Sequence, residues 1–115
     1  MEERERLSMT IAYSKEFNTS IIDIIKWGIE TFGGIAAERY EERIYGIVDS
    51  LRTDYLMYPE CRWIPTRGRI YRNIILDSYL IIYRITDTRI EVLQIISSHR
   101  SISKIRGARN IRISE

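Results

Sequence analysis

Between Tyr79 and Arg100 the chain reads YLIIYRITDTRIEVLQIISSHR, a run that is too apolar to be a strand with one wet face. Two strand signals in it meet at a two-residue turn, Asp87-Thr88. In the first, Tyr79, Ile81, Tyr83 and Ile85 point one way, and Leu80, Ile82 and Arg84 the other. In the second, strict alternation sets Ile90, Val92 and Ile96 against Leu93 and Ile95. A small sheet with both faces apolar needs two covers. The pattern elsewhere in the chain shows where the first of them comes from.

Met9 to Ser14 (MTIAYS) alternates as a short first strand, and Ser14 is placed to cap a helix. From Phe17 the apolar positions Phe17, Ile21, Ile24, Ile25, Trp27, Ile29 and Phe32 largely keep helical spacing. Gly33-Gly34 supplies the left-handed stop. A second helix carries Ala36, Tyr40, Ile44, Ile47, Val48, Leu51 and Tyr55 on one stripe and is expected to run to about Tyr58, before Pro59. The pair reads as an antiparallel αα-hairpin. After a loop, CRWIPTRGR, come IYRNIIL, YLIIYRI and RIEVLQIISS, an antiparallel meander with short turns at Asp77-Ser78 and Asp87-Thr88. The order β-αα-βββ gives an α+β fold, with the helices on one face of a small sheet. A basic tail, about residues 100–115, comes last, with one short helical turn expected before Gly107.

Two helices cover one sheet face. For the second face the expectation is an exposed apolar patch, with Leu80 and Ile82 in it, ringed by arginines and built to receive a partner. The alternative is that the chain's own tail folds back over it.

At 115 residues the chain reads as a single domain spanning 1–115. No apolar run approaches the length of a membrane span, and the polar start MEERERLSM does not resemble a signal peptide. Cys61 is the only cysteine, so no internal disulfide forms and a reducing, cytoplasmic setting is expected, with no membrane association. The net charge is only +2, but residues 14–60 hold nine acidic and five basic side chains while residues 61–115 hold eleven basic and four acidic ones. The second half is therefore a basic surface facing nucleic acid, an acidic protein or water. One cysteine and one histidine make no structural zinc site, and neither metal nor cofactor is expected. Arginines around Gly68 lack the strand–glycine–helix setting of a phosphate loop. Cys61 without a histidine near it in sequence makes no persuasive thiol enzyme, and a loop or half-buried position is expected for it.

Two sets of residues resemble the ParE/RelE superfamily, the toxins of bacterial type II toxin–antitoxin modules. The first is Asp23-Ile24-Ile25, Trp27, Phe32-Gly33, Ala36-Ala37 and Tyr40. The second, more specific, is Tyr79, Ile81, Tyr83-Arg84, Asp87, Ile90-Glu91-Val92-Leu93, Ile95 and His99-Arg100. The resemblance spans roughly Ile11 to Arg106. It implies a cognate antitoxin that lays an extended or helical segment over the toxin, and one of two activities. RelE-like members cut mRNA on the ribosome, whereas ParE-like members poison DNA gyrase by protein contact, without nuclease residues.

Metal-free RNA cleavage needs cations around the phosphate and a group that exchanges protons. Against the RelE-like set, Arg72 and Arg100 match, but the second arginine position falls on Leu80 and the late aromatic position on Arg106. His99 is the one histidine available for proton exchange; a histidine ending a strand is more often structural or solvated. The nuclease alternative would thus rest on Arg72, His99 and Arg100, and no catalytic residue is assigned on the ParE-like reading that the incomplete set favours. A degenerate, non-toxic binding module of the same fold is the further alternative. For the antitoxin, Arg72, Arg84 and Arg100 with Leu80 and Ile82 are the expected contacts. Arg84 leads because it alternates with two aliphatic residues; its alternative is an internal ion pair with Glu91 or Asp77.

Overall fold

The computed structural model describes residues 8–114. Strand β1 is Thr10–Tyr13. Helix α1 is Lys15–Phe32, α2 is Gly34–Asp49 and the single turn α3 is Leu51–Asp54. Strands β2 (Tyr71–Leu76), β3 (Tyr79–Ile85) and β4 (Arg89–Ser97) come next. The chain then forms a short helix α4, Ile102–Arg106, and a 3-10 turn, Gly107–Asn110. No helix among the described residues is long and apolar enough to cross a membrane.

Local chemistry sets most boundaries. The Ser14 hydroxyl accepts a bond from the Phe17 N–H at 2.8 Å, which caps α1, and donates to the Leu93 carbonyl at 2.6 Å. One buried side chain thus both starts the helix and ties it to the sheet. At the other end Gly33, φ 95°, takes a conformation that a side chain disfavours and returns its N–H to the Ile29 carbonyl. The second helix stops sooner than its apolar stripe suggests. The Ser50 hydroxyl bonds back to the Ile47 carbonyl at 2.6 Å, a competition with the helical ladder that breaks the helix before Leu51. Leu51 is nonetheless fully buried, as the stripe requires.

The sheet is mixed, in the order β1-β4-β3-β2. The meander is antiparallel as expected, and β1 returns to lie parallel to β4, Ile11 beside Ile90 and Tyr13 beside Val92. A bulge interrupts β4. Ile82 lies opposite Gln94 but Tyr83 lies opposite Val92, so Leu93 is an extra residue. The extra residue inverts the alternation after it. Ile95, expected with Leu93, joins Ile90 and Val92 beneath the helices, and Ile96 joins Leu93 on the other face.

The helical side of the sheet meets Phe17, Ile21, Ile44, Val48 and Leu51 in one core. The other side carries a second core. Leu80, Ile82, Leu93 and Ile96 pack there against Cys61 and Ile64 from the loop and Ile105 and Ala108 from the tail. Trp63, Ile70, Ile111 and Ile113 close its margin. The second cover is therefore the chain's own loop and tail, which corrects the expectation of an open patch at Leu80 and Ile82. Cys61, expected in a loop or half-buried, lies in the loop and is fully buried, and that burial pushes its thiol pKa up.

Replacing Ser14 with Ala removes the cap and leaves the Leu93 carbonyl without its donor. Urea unfolding is expected to show a loss of about 2 kcal/mol with an unchanged m-value. A loss under about 0.5 kcal/mol would show that water replaces both bonds.

Candidate functional site

Strand β3 was expected to present Arg84 to a partner, and it does not. The Glu91 carboxylate, 9% exposed, sits between two arginines. Its Oε1 accepts from Arg84 Nε at 2.7 Å and Nη2 at 2.6 Å, and its Oε2 from Arg89 Nε at 3.0 Å and Nη2 at 2.8 Å. Each guanidinium then donates to the terminal segment: Arg84 to the Ile111 carbonyl at 3.0 Å, Arg89 to that of Ile113 at 3.2 Å. Arg84 also reaches the Tyr71 hydroxyl, which donates to the Arg109 carbonyl. Arg84 thus pins the tail over the second core, the internal ion pair with Glu91 that was the alternative. Burial works against the charge on Glu91, but the bonds from Arg89 and Arg84 outweigh it, so its pKa lies below the ordinary carboxylate value. Leu80 and Ile82, 3% and 0% exposed beneath the same tail, form no accessible patch.

The candidate nuclease residues are not brought together. Arg72 stands opposite Tyr83, whereas Ser97 stands opposite Tyr79, four residues further along the sheet, about 13 Å. His99 and Arg100 lie beyond Ser97, exposed at that far end. The Arg72 guanidinium is committed to three backbone carbonyls, those of Arg69, Leu56 and Tyr58. It holds the connection from α3 against the edge strand. Arg100 lines a shallow polar depression with Lys104, Asp23 and Gln94.

A surface that lacks a cover lies on the helical hairpin. Beyond Ile25 helix α1 outruns the sheet, and Trp27, Ile29 and Phe32 are half or more exposed, as is Ile35 at the start of α2. Trp27 and Phe32 pack edge to face, centroids 5.6 Å apart. Gly28 allows the close approach of the two helices there: a Cβ on it would lie 3.4 Å from that of Ala37. Between this tip and the β2–β3 turn runs a groove of about 450 Å³, walled by Ile24, Ile25, Trp27, Phe32 and Tyr40. Its polar end is the turn itself. Asp77, φ 56°, is bridged by Arg43 at 3.1 Å. Partial burial and a hydrogen bond to Asp77 push the Tyr40 hydroxyl up to about 12, so it stays a proton donor at neutral pH. The signal for this surface was in the apolar stripe. At about 100° per residue Trp27 lies about 120° round the helix from Ile21, too far for both to face one sheet.

A protein-family model described as the ParE toxin of the type II toxin–antitoxin system parDE matches residues 11–102. No curated protein matches the chain. Among solved structures, a chain of the "Chromosomal ParDE TA system from P. aeruginosa" is similar, with a TM-score of 0.65 and 15% sequence identity. The match covers 79% of this chain and 97% of that one. At that identity the likeness is one of fold.

The Arg84–Glu91–Arg89 cluster makes two measurements informative. Arg84→Ala strands part of a buried charge and is expected to cost about 3–5 kcal/mol in urea unfolding at neutral pH. Glu91 has a folded pKa depressed below 4.5, so its contribution is complete above that value and is lost as pH falls through the folded pKa. Glu91→Gln should therefore lower stability by about 3 kcal/mol at neutral pH and flatten the acid limb of the stability curve below about pH 4.5. An unchanged acid limb would show that other carboxylates set it.

Proposed function

Since the chain belongs to the ParE toxin family of type II toxin–antitoxin systems, we propose that it arrests growth by protein contact with DNA gyrase. On the same reading a cognate antitoxin, seated in the groove of the helical hairpin, holds it silent. The family match across residues 11–102 carries this reading. Two features of the geometry support it. Arg72, His99 and Arg100 do not converge on one phosphate-sized site, which speaks against ribonuclease chemistry. A groove walled by half-exposed Trp27 and Phe32 is an anchor site for an amphipathic helix, which lays its apolar residues at one-turn spacing into such a depression. Tyr40 and Asp77 at the polar end would fix its register.

Inducing the gene in a bacterial host should stop growth, trigger the DNA-damage response and leave mRNA intact, and purified protein should inhibit gyrase supercoiling. Codon-linked mRNA cleavage would move the protein to the nuclease branch; unimpaired growth with soluble protein present would make it a binding module that has lost its toxicity.

The groove itself is tested by Trp27→Ala and Phe32→Ala. Both side chains are largely exposed in the free chain, so the thermal midpoint should move little. Affinity for the antitoxin encoded beside it should fall by about 2–4 kcal/mol for at least one of them, as for aromatic anchors in other interfaces. Unchanged affinity in both, measured by titration calorimetry, would place the antitoxin elsewhere.

A further inference from the structure

The basic half of the chain becomes, in the fold, one outer layer. The loop 61–70 and the tail 100–113 contain no aspartate or glutamate. Both lie on the sheet face away from the helices, held by inward apolar residues such as Ile64 and Ile105. What they turn outward is cationic: Arg62, Arg67 and Arg69 from the loop, and Lys104, Arg106 and Arg109 from the tail, all exposed. Among the described residues, none of these six is bridged to a carboxylate. The acidic side chains of α1 and α2 lie mostly in the opposite layer, with Asp23 at the border beside Arg100 and Lys104, so the charge is divided unevenly between two faces.

We propose that this face binds the phosphate backbone of duplex DNA, independently of sequence. Charge alone would equally suit an acidic protein, but a protein interface needs an apolar centre that excludes water. Among the described residues, the large apolar side chains exposed on this face are two isoleucines, Ile102 in the tail and Ile75 on the edge strand β2; the others lie on the hairpin and the α3 connection. Interfaces with nucleic acid are polar and strongly positive. Five of the six cations are arginines, whose planar fork fits phosphate oxygens. Single strands are the poorer fit, because they are held by stacking on open aromatic rings. Trp63 is half-buried here, and the Arg62 guanidinium lies over its ring at 5.1 Å.

The purified chain, titrated with a fluorescein-labelled random-sequence duplex of about 30 base pairs, should raise its anisotropy, with log K falling linearly in log salt by about 0.9 per phosphate neutralised. The triple variant Lys104→Gln, Arg106→Gln, Arg109→Gln should bind about tenfold or more weakly and make that slope shallower by about 3. Lys15→Gln, Lys26→Gln, Arg39→Gln, on the helical layer, should bind as the parent does. Should circular dichroism show the tail variant unfolded, Arg62→Gln, Arg67→Gln, Arg69→Gln on the loop serves the same test with the same expected losses. The proposal is overturned by any of four results: no binding at low salt, equal losses in both layers, a preference for single strands, or displacement by poly-glutamate as effective as by unlabelled duplex. Neither antitoxin nor gyrase enters the measurement, so its failure would leave the toxin reading standing.

Discussion

Everything in this molecule depends on a sheet that is apolar on both faces and has to be sealed twice. A chain of this size has material for one helical layer. The second seal is made from the loop before β2 and from a tail after β4 whose regular structure is one short helix and a 3-10 turn. Such segments cost conformational entropy and offer few backbone bonds of their own, so they need fixing by side chains. The fixing is ionic. Glu91, in the central strand β4, orients Arg84 and Arg89, and these hold two carbonyls of the terminal segment two residues apart. A buried carboxylate flanked by two guanidiniums adds little net stability over a packed apolar trio. It does specify one position for the tail, which apolar contact alone would leave free to slide.

That solution decides which surfaces remain for partners. With most of the sheet covered on both sides, exposed apolar area remains where the helices extend past it, at the tip bearing Trp27, Ile29, Phe32 and Ile35, and at Leu56, Met57 and Ile75 near the edge strand β2. Helix α1 could end a turn earlier without opening the core, since its buried residues are Phe17 and Ile21. The same closure sorts charge. Because the tail and loop insert their aliphatic residues, their intervening arginines are forced outward together, and a composition bias along the chain becomes a face in space.

Both ends of the first helix, the meander and most of the first core were legible because each depends on neighbours in sequence. Ser14 caps the first helix, Gly33 ends it, and strand periodicity assigns β3 correctly from Tyr79 to Ile85. The family resemblance was legible for the same reason, as spaced residues on those elements. Of the candidate site, the sequence marked Trp27, Phe32 and Tyr40 as apolar or family positions, and the angular offset of Trp27 from Ile21 was the one sign that the stripe is wider than a single sheet contact.

What only the tertiary structure decided turns on pairings far apart in the chain. The bulge at Leu93 is fixed by β4 matching β3 and β1 at once, and no alternation rule foresees the residue at which parity flips. The return of the tail rests on Arg84 and Arg89 finding carbonyls more than twenty residues away. An arginine between two aliphatic residues reads the same in sequence whether it meets a partner or its own C-terminal segment. Its fate depends on whether the chain left after the last strand is long enough, and apolar enough at Ile105, Ala108, Ile111 and Ile113, to seal the sheet itself. Here it is, and burial of that apolar surface, not the charge, settles where the arginines point.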